Sequence, residues 1–560
     1  MYEEFYGIAP FGQVPTEEQL AHMELGKKIF FHFGTNTFCN KEWGDGSEME
    51  ESFNPTDCNV REWISDARAA GFKLAIITAK HHDGFCLWPS EYTTHSIKNS
   101  PYKNGRGDII REFTDACHEY NMKVGIYISP WDRHSPYWGT AEYSVYYANQ
   151  LTELLTGYGK IDEIWWDGAG SRETPYDWGR WAYLIKKYQP TAQIFGSMGA
   201  TPYVSLRWVG NEAGFAGRTH YASIDENDLF VEDVGVLNTG RLKGERYIPA
   251  EVDVSIRPGW FYHEEQDELV KTPLELDELW FRSVGNNAMM LLNIPPDRRG
   301  RLPRADIKNA ITSHKRIEKM LSVNLLWGAE LSASSQHCDA TDIIKATLPD
   351  DGLFYASGDG RATVDILLPE GTPEYNVLLL GEFVRLGERI TEFKLEAIDS
   401  GEPQLLCSGT SVGYLRAVRF DKTDKKHLRL TLVGAAKPLT LRTLSLNVYD
   451  SEGERGATDS GKTNLARLKS AEIIFSEDNK SARVMFGGIF PFDTIAFSAH
   501  WHGGKYTLYA FDGSKYYPIG EGVAKKYRVV HKLPEPIRTS YQILIEYEKS
   551  FSTEPDIVVQ

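Results

Sequence analysis

Between residues 25 and 295, short apolar runs alternate with amphipathic stretches, and no other feature of the sequence constrains the fold as strongly. The apolar runs predict strands, and the amphipathic stretches between them predict helices. Strands that alternate with helices form a parallel sheet covered by helices, and eight such strands close into a barrel. The predicted strands are 29–33, 74–79, 123–129, 163–166, 193–196, 204–209, 250–255 and 289–292.

The connections between these strands indicate that the barrel is irregular. Helices are predicted at 59–70, 108–120, 141–158 and 274–284. Asp57 could cap the first of these helices. Residues 197–203, between the fifth and sixth strands, are too few for a helix. The predicted fold class is therefore α/β, an irregular (β/α)8 TIM-like barrel followed by one or more carboxyl-terminal β-sandwich domains.

The character of the sequence changes after one more predicted helix, 306–321. Apolar and polar residues then alternate in short segments separated by Gly, Asp and Lys, as in an antiparallel sandwich. A link rich in Ser, Gly and charge covers 449–463, and the alternation resumes over 473–547. The predicted domains are a catalytic barrel over 1–320, a β-sandwich over 321–450 and a second, smaller β domain over 451–560.

Composition excludes several classes of protein. A formal net charge of −17 argues against a nucleic-acid partner, since such proteins neutralise phosphates with Lys and Arg, and it favours a neutral substrate. No window has the ~18 uninterrupted apolar residues that span a bilayer. The six cysteines form no CxxC pair and no dense cluster, so neither a zinc site nor a disulfide scaffold is indicated. Residues 1–15 lack the pattern of a secretory signal, so the compartment stays open; a periplasmic or secreted location is expected if a signal was removed.

Aromatic and imidazole side chains are concentrated in the barrel region. Twelve of the fourteen tryptophans and nine of the fifteen histidines lie before residue 300, many of them just after a predicted strand. The carboxyl ends of barrel strands share one face, and barrel active sites lie there. A sugar site needs rings that stack on C–H groups and polar groups that match hydroxyls. The pattern therefore favours a carbohydrate site.

The fourth predicted strand brings a carboxylate to this face. The strand ends in Trp165 and Trp166, and Asp167 follows directly before Gly168. An Asp at a strand end often only caps the next loop, but the flanking tryptophans favour a functional role. A carboxylate beneath an aromatic wall suits a nucleophile that attacks an anomeric carbon and forms a glycosyl-enzyme intermediate.

A retaining glycosidase needs a second carboxyl group, with a raised pKa, as general acid and then base. Glu212 follows the sixth predicted strand in a Gly-containing loop and is the natural candidate. The acidic stretch beyond it contains competitors for the same role, namely Asp225, Glu226, Asp228, Glu232 and Asp233.

Three histidines lie at consecutive strand ends, with His32 after the first strand and His81 and His82 after the second. A metal site is one alternative, but zinc barrels usually present His-x-His, and neighbours on an extended strand point to opposite faces. Core histidines are another alternative. We expect hydrogen bonds to sugar hydroxyls, with no metal and no other cofactor. Glu42 and Trp43, in the loop after the first strand, pair an acceptor with a stacking ring, although a solvated loop is the simpler alternative there.

In combination these motifs resemble glycoside hydrolase family 29, the α-L-fucosidases, over residues 20–300. The resemblance implies a barrel with a β-sandwich behind it and the hydrolysis of terminal fucose. It implies that Asp167, two positions after Trp165, is the nucleophile. It also implies a set of fucose-binding residues, namely His32, Glu42, Trp43, His81 and His82.

The segment 209–212 is similar to the branch of this family that removes α-1,3- and α-1,4-linked fucose from branched glycans. By that resemblance Glu212 is the acid/base, and the partners are fucosylated Lewis-type oligosaccharides or glycoconjugates. The continuation, 214–217, is placed to contact a neighbouring galactose. Trp165 should line the sugar site, and Trp260, near the seventh strand, could cover it.

Three other functions fit part of the pattern, and one of them, a metal-dependent hydrolase, would lose its activity to a chelator. A glycosidase for another sugar would share the barrel, the aromatic residues and the paired carboxylates, and only the combined motifs argue against it. A non-catalytic carbohydrate-binding barrel is disfavoured because both carboxylates are present.

Overall fold

The structure, a computed structural model, describes most of the first 450 residues and part of the remainder. The described residues are 5–170, 176–196, 198–230, 235–350, 352–399, 401–450, 465–467, 471–476, 478, 480–486, 492–498, 504–511, 515–524, 528–537, 540, 542–548, 550 and 557–559. Residues 451–463 of the predicted link lie outside this set.

Eight parallel strands close a barrel in which neighbours in the sequence are neighbours in space. They are β1 (Lys27–Phe31), β2 (Leu74–Lys80), β3 (Lys123–Ile128), β4 (Glu163–Trp165), β5 (Gln193–Gly196), β6 (Leu206–Trp208), β7 (Ala250–Ser255) and β8 (Met289–Asn293). The predicted eight-stranded barrel is confirmed, with small shifts of the strand ends.

Helices surround the barrel and extend beyond its last strand. The described helices are α1 (Glu17–Met23), α2 (Thr35–Cys39), α3 (Val60–Ala69), α4 (Ile109–Glu119), α5 (Glu142–Gly157), α6 (Trp178–Tyr188), α7 (Gly235–Thr239), α8 (Pro273–Arg282) and α9 (Arg304–Leu321). No helix in the described part of the chain is both long and apolar enough to cross a membrane.

The predicted cap of α3 is wrong. The side chain of Asn59 accepts a hydrogen bond from the backbone N–H of Glu62 at 3.2 Å, so Asn59 caps the helix. A capping oxygen reaches an N–H only two or three residues further on, and Asp57 lies too early for that. Asp57 pairs with Arg301 instead, at 3.0 Å.

The barrel is irregular on one side. Between β5 and β6 the chain forms only a 3₁₀ turn, Met198–Tyr203, as the short spacing predicted. Between β6 and β7 it leaves the barrel over residues 209–249, a segment that we call the excursion. The excursion contains α7 and a two-stranded antiparallel ribbon, Ser223–Ile224 with Arg246–Tyr247.

Alternate side chains of the strands point into the barrel and form layers, as the period of two requires. The lowest layer is charged: the ammonium of Lys28 lies 2.6 Å from Glu163 and also contacts Glu251, and all three side chains are fully buried. A layer of aromatic and aliphatic side chains lies above it. The next inward position of β4 after Glu163 and Trp165 falls just beyond the strand, at Asp167.

Two antiparallel sheets after the barrel enclose a separate apolar core, as predicted for a sandwich. The larger sheet has the strand order Glu330–Ala333, Arg361–Leu367, His427–Gly434, Ile390–Ala397 and Gln404–Gly409. The smaller sheet has the order Arg416–Thr423, Tyr375–Gly381 and Thr443–Asn447. Two short strands, Tyr355–Ala356 and Thr440–Leu441, pair beside them.

Two further antiparallel sheets near the carboxyl terminus enclose a third apolar cluster. One has the order Glu472–Phe475, Ser481–Met485, Gln542–Tyr547, Gly504–Phe511 and Tyr516–Ala524. The other has the order Arg528–Ile537, Phe492–Ser498 and Ile557–Val559. The domain boundaries at 320/321 and 450/451 stay predictions.

Candidate active site

A cavity opens at the carboxyl ends of the barrel strands. Its wall is formed by Phe30, His32, Trp43, His81, His82, Tyr127, Trp165, Asp167, Ala169, Glu212, Asp253 and Trp260. Eight of the nine predicted site residues belong to this wall. The ninth, Glu42, lies at its rim, where it accepts a hydrogen bond from the backbone N–H of Trp260 at 2.8 Å. The structure thus brings all nine together.

Asp167 points into the cavity from two residues beyond the end of β4. Its Oδ2 accepts a hydrogen bond from the phenol of Tyr127 at 3.0 Å and lies 3.6 Å from Nε2 of His82. Its Oδ1 accepts a hydrogen bond from the backbone N–H of Ala169 at 2.9 Å. These contacts fix the carboxylate while 28% of the side chain stays accessible. A nucleophile needs both an orientation and an open side.

Glu212 lies near the start of the excursion, and its Oε2 accepts a hydrogen bond from the indole N–H of Trp260 at 3.3 Å. Burial raises the pKa of Glu212 well above its ordinary value, and the nearby charge of Asp167 raises it further. Among the described residues, no Lys, Arg or His nitrogen lies within 4 Å of this carboxyl group. These surroundings favour the protonated form of Glu212, which is the form that a general acid requires.

The segment that carries Glu212 is held by buried polar side chains. Asn238 of α7 donates hydrogen bonds to the carbonyl oxygens of Val209 at 3.3 Å and Phe215 at 3.2 Å, on either side of Glu212. Arg207, at the end of β6, is fully buried and donates to four backbone carbonyl groups of the same excursion. The position of Glu212 thus depends on the packing of the whole excursion against the barrel.

Residues 214–217 are not part of the cavity wall. Gly214 adopts a φ of +90°, and a Cβ there would lie 2.2 Å from the side chain of Leu279 in α8. The Phe215 ring packs beneath the guanidinium of Arg282, 4.3 Å away. The segment therefore turns toward α8, and this packing gives no support to the predicted contact with a galactose.

The three predicted histidines are buried, and a polar side chain occupies the Nδ1 side of each ring. The pairs are His32 with Asn293 at 2.8 Å, His81 with Asn36 at 3.3 Å and His82 with Ser129 at 2.7 Å. Burial lowers the pKa of all three rings, to about 4 for His32. The rings are therefore neutral and keep Nε2 for other partners.

The sequence argument against a metal site assumed that His81 and His82, as neighbours on a strand, point to opposite faces. This assumption is wrong. β2 ends at Lys80, so both histidines lie in the turn that follows, where strand alternation no longer holds. Their ring centroids are 4.1 Å apart, and both rings line the cavity.

Glu42 is fixed by a residue that the sequence did not single out. Its Oε1 lies 2.5 Å from Nε2 of His263, and Nδ1 of His263 lies 2.8 Å from Oδ1 of Asn40. Both ring nitrogens face oxygen atoms, so each is positioned to donate. The partners of His263 are 221 and 223 residues away in the chain, so no local pattern marks it.

Two of the tryptophans in the cavity wall are fixed by different aromatic neighbours. Trp165 stacks on Phe195 with ring centroids 4.1 Å apart. Trp260 lies against His32, with ring centroids 5.0 Å apart. Trp166 points away from the cavity into the core beneath the helices, because neighbours on a strand face opposite sides. Only one of the two flanking tryptophans therefore belongs to the site.

The competing acids of the excursion do not line the cavity where they are described. Asp228 pairs with Arg241, at 2.7 Å from Nη2 to Oδ1, and neither Asp225 nor Glu226 belongs to the cavity wall. The last two competitors, Glu232 and Asp233, lie outside the described residues.

Four wall residues, namely Phe30, Tyr127, Ala169 and Asp253, were not predicted, and two of them, Tyr127 and Asp253, carry polar side chains. Both occupy inward positions within strands rather than at strand ends. In β7, Asp253 stands between Val252 and Val254, so the alternation of polar and apolar residues was a usable signal for an inward carboxyl group. Tyr127 offers a weaker signal, because an aromatic residue is ordinary inside a strand.

The site therefore combines a fixed accessible carboxyl group, a second carboxyl group whose pKa is raised, neutral imidazoles and aromatic faces in one cavity. No group of three or more His, Cys, Asp or Glu in the described part of the chain is arranged to hold a metal ion. Such a set fits a neutral, hydroxyl-rich ligand and acid-assisted nucleophilic substitution.

Comparison with known proteins identifies the family. A family model described as Alpha-L-fucosidase matches residues 15–314, more than half of the chain and all eight barrel strands. The chain is 38% identical to Alpha-L-fucosidase 1 of Arabidopsis thaliana over 436 residues, which are 76% of this chain and 85% of that protein. A candidate α-L-fucosidase of Bacteroides thetaiotaomicron has a crystal structure that matches with a TM-score of 0.77 and 40% identity, covering 79% of this chain and 99% of that one. A GH29 fucosidase of Ruminococcus gnavus, solved in complex with fucose, matches with a TM-score of 0.73 and 30% identity over 79% of this chain and 96% of that one. The chain therefore belongs to the α-L-fucosidase family, glycoside hydrolase family 29, and is a glycoside hydrolase.

Proposed function

We propose that this protein is a retaining exo-α-L-fucosidase in which Asp167 is the nucleophile and Glu212 the acid/base. The observation that carries the proposal is the pairing of two unlike carboxyl groups in one cavity. Asp167 accepts hydrogen bonds from an O–H and an N–H group, which orient its carboxyl group while part of it stays accessible. Burial and the nearby charge of Asp167 raise the pKa of Glu212, which favours its protonated form. Environments that separate two carboxyl groups in this way assign the nucleophile and the acid.

The proposed reaction is a double displacement. First, an oxygen of Asp167 attacks the anomeric carbon of fucose while the bond from that carbon to the leaving oxygen breaks, and Glu212 gives its proton to that oxygen. A water molecule then attacks the same carbon, its proton passes to the Glu212 carboxylate, and the bond to Asp167 breaks. Two inversions at one carbon give net retention.

The remaining predicted residues are proposed to bind the fucosyl unit. Burying sugar hydroxyls requires a hydrogen-bond partner for each, and the neutral rings of His32, His81 and His82 can each supply one. Glu42 adds an acceptor at the rim, fixed by His263. Trp43, Trp165 and Trp260 provide aromatic faces for the C–H surface of the sugar. The fucose complex of the R. gnavus relative supports this choice of sugar.

We propose that the preferred substrates carry fucose joined α-1,3 or α-1,4 in branched, Lewis-type glycans. The support is the resemblance of the segment 209–212 to the branch of the family with that preference. Binding of the branched aglycone would then contribute to transition-state stabilisation, and an unbranched substrate should lose kcat as well as affinity.

A comparison of substrates tests the sugar and the linkage separately. Aryl α-L-fucoside should be hydrolysed and a panel of aryl glycosides of other sugars should not; hydrolysis of another sugar at a similar rate would refute the fucose assignment. The kcat/KM for a Lewis trisaccharide should exceed that for 2′-fucosyllactose, and equal values would refute the linkage proposal alone.

The stereochemistry has its own test. Proton NMR during the first turnovers on an aryl α-L-fucoside should show α-fucose before mutarotation. First release of β-fucose would show inversion, and Asp167 would then be a base rather than a nucleophile.

A further inference from the structure

Asp253 has no role in the reaction as described so far, although it lies at the reacting site. It occupies an inward position of β7 and is 3% exposed. The cavity that it lines is the one that contains Asp167 and Glu212. Three carboxyl groups therefore share a space that the double displacement requires to hold two.

The contacts of Asp253 differ from those of the carboxylates around it. Its Oδ1 accepts a hydrogen bond from the indole N–H of Trp208 at 2.8 Å. In the described part of the chain, no Lys, Arg or His nitrogen lies within 4 Å of its carboxyl group. Glu251, two residues earlier on the same strand, contacts the ammonium of Lys28. Asp167 has Tyr127 and a backbone N–H as donors.

The groups that face Asp253 from the described parts of the surrounding elements are acidic or uncharged. Glu251 lies on its own strand, Asp167 comes from β4 and Glu212 from the excursion. The pairing strand β8 contributes Leu291, and β6 contributes the neutral indole of Trp208. The histidines in the cavity wall are neutral at ordinary pH.

Ionisation of Asp253 would therefore place an unpaired charge beside other acidic groups. Burial raises the pKa of Asp253 well above its ordinary value; hydrogen bonds from its own backbone N–H and from Trp208 oppose the rise, and the charges of Glu251 and Asp167 add to it. A buried carboxyl group in such surroundings keeps its proton and becomes a hydrogen-bond donor.

We propose that Asp253 is a third carboxyl group of the substrate site and acts in its neutral form: Trp208 holds Oδ1, and the protonated Oδ2 donates a hydrogen bond to the sugar in the cavity. This inference rests on the proposed function, since it requires a sugar beside Asp167. It adds a donor to a wall whose other carboxyl groups are committed to the displacement. No net negative charge is added, so the ionisation of Asp167 is not opposed.

The alternative role for Asp253 has the opposite charge. An ionised Asp253 would accept hydrogen bonds from the sugar and would keep the proton on Glu212 by repulsion. Asparagine distinguishes the two roles, because its amide keeps an N–H donor at nearly the same place but carries no charge. Alanine removes both the donor and the charge.

The experiment compares Asp253→Asn and Asp253→Ala on an aryl α-L-fucoside over a range of pH. Both variants should fall below the wild type, and kcat/KM for the Asn variant should exceed that for the Ala variant by about tenfold or more, since a donor remains. The alkaline limb of kcat/KM in the Asn variant should stay at the wild-type pH. Equal losses in the two variants, or an alkaline limb moved to lower pH in the Asn variant, would overturn the proposal.

A spectroscopic measurement separates this inference from activity. The infrared difference spectrum of wild type minus Asp253→Asn should contain the carbonyl stretch of a protonated carboxyl group at neutral pH, and a carboxylate band in its place would overturn the proposal. Asp365→Asn, at a surface carboxylate paired with Arg429, is the matched control and should leave the pH profile unchanged. A wild type that released no fucose would contradict the proposed function, whereas an active wild type with a carboxylate at Asp253 contradicts this inference alone.

Discussion

At the amino-terminal end of the barrel interior, which we call the lower end, two buried carboxylates share one cation. Lys28 lies 2.6 Å from Glu163 and also contacts Glu251. At the carboxyl-terminal end, which we call the upper end, the cavity wall in the described structure contains no Lys or Arg. Three carboxyl groups face that cavity, namely Asp167, Glu212 and Asp253. The same two strands, β4 and β7, supply carboxyl groups to both ends.

The difference lies in what neutralises the buried charge. At the lower end, burial lowers the pKa of Lys28, but the two carboxylates outweigh it and hold that pKa above its ordinary value. Burial and the nearby Glu163 raise the pKa of Glu251 to about 7. At the upper end the described wall contains no Lys or Arg, and protons bound to the excess carboxyl groups would neutralise them. A fixed cation stabilises a fold, whereas a removable proton is available for acid catalysis.

The largest expected effect on kcat comes from replacing Asp167, the carboxyl group at the upper end that must be ionised to act as the nucleophile. Asp167→Asn should lower kcat by about 10⁴-fold or more, because the nucleophile is lost while the shape is kept. Initial rates on an aryl α-L-fucoside measure this, and a rate within tenfold of the wild type would contradict the assignment. Glu163→Gln, four residues earlier on the same inner face, should change stability more than kcat and is the matched control.

Replacing the upper proton donor should have the next largest effect. Glu212→Gln should lower kcat by about 10²–10⁴-fold, the usual contribution of general acid–base catalysis. Only the protonated form of Glu212 can act as the acid, and its pKa is raised. On the alkaline side of the pH profile, wild-type activity should therefore fall as the pH rises through this raised pKa. The variant should lack this alkaline limb. It should also lose less activity on an aryl fucoside whose leaving group needs no proton, and an equal loss on all leaving groups would argue against an acid role.

Removing the lower cation should affect stability rather than chemistry. Lys28→Met removes the ammonium that two buried carboxyl groups share, which leaves Glu163 beside His22 at 3.5 Å and Glu251 with the indole N–H of Trp165 at 2.9 Å. The loss should lower the free energy of unfolding by about 3–5 kcal/mol. Urea denaturation measures the loss. Lys103→Met, at an exposed pair with Glu112, is the control and should cost no more than about 1 kcal/mol. Equal effects of the two substitutions would mean that the lower charges are not a structural ion pair.

The upper end was more predictable from the sequence than the lower end. Asp167 was found because a strand, two tryptophans and a glycine mark it locally. Lys28, Glu163 and Glu251 come together only when β1, β4 and β7 meet inside a closed barrel, and no local pattern states which of their inward residues will be neighbours.

The same limit explains other residues of the site. His263 was missed because its partner Glu42 is 221 residues away. Asp253 could have been identified, since it alternates with valines in β7, but a rule that looks only at strand ends passes over it. The packing of 214–217 against α8 was not predictable, because a glycine with a φ of +90° can direct the chain either way.

A smaller effect is expected from a neutral group of the cavity wall. The amide of Asn36 donates to Nδ1 of His81 at 3.3 Å, so Nε2 carries the hydrogen and is available as a donor. His81→Ala should lower kcat/KM by about 5- to 150-fold, equivalent to the about 1–3 kcal/mol of an unmatched buried hydroxyl. The melting temperature should report any loss of packing separately. No change in kcat/KM would remove His81 from the fucose-binding set.

The smallest expected effect is that of a chelator. It tests whether protons, rather than a metal ion, neutralise the carboxyl groups at the upper end. If a divalent cation occupied the cavity, the upper end would contain a fixed charge like the lower end, and protons would not be needed there. The donors argue for protons: the Nδ1 side of each of His32, His81 and His82 is already occupied by a neighbouring side chain. Activity on an aryl α-L-fucoside should therefore be the same after prolonged dialysis against EDTA as before it. Loss of activity in EDTA that zinc restores would show that the upper carboxyl groups are neutralised by a metal, and Glu212 would then no longer be required to hold a proton in the resting enzyme.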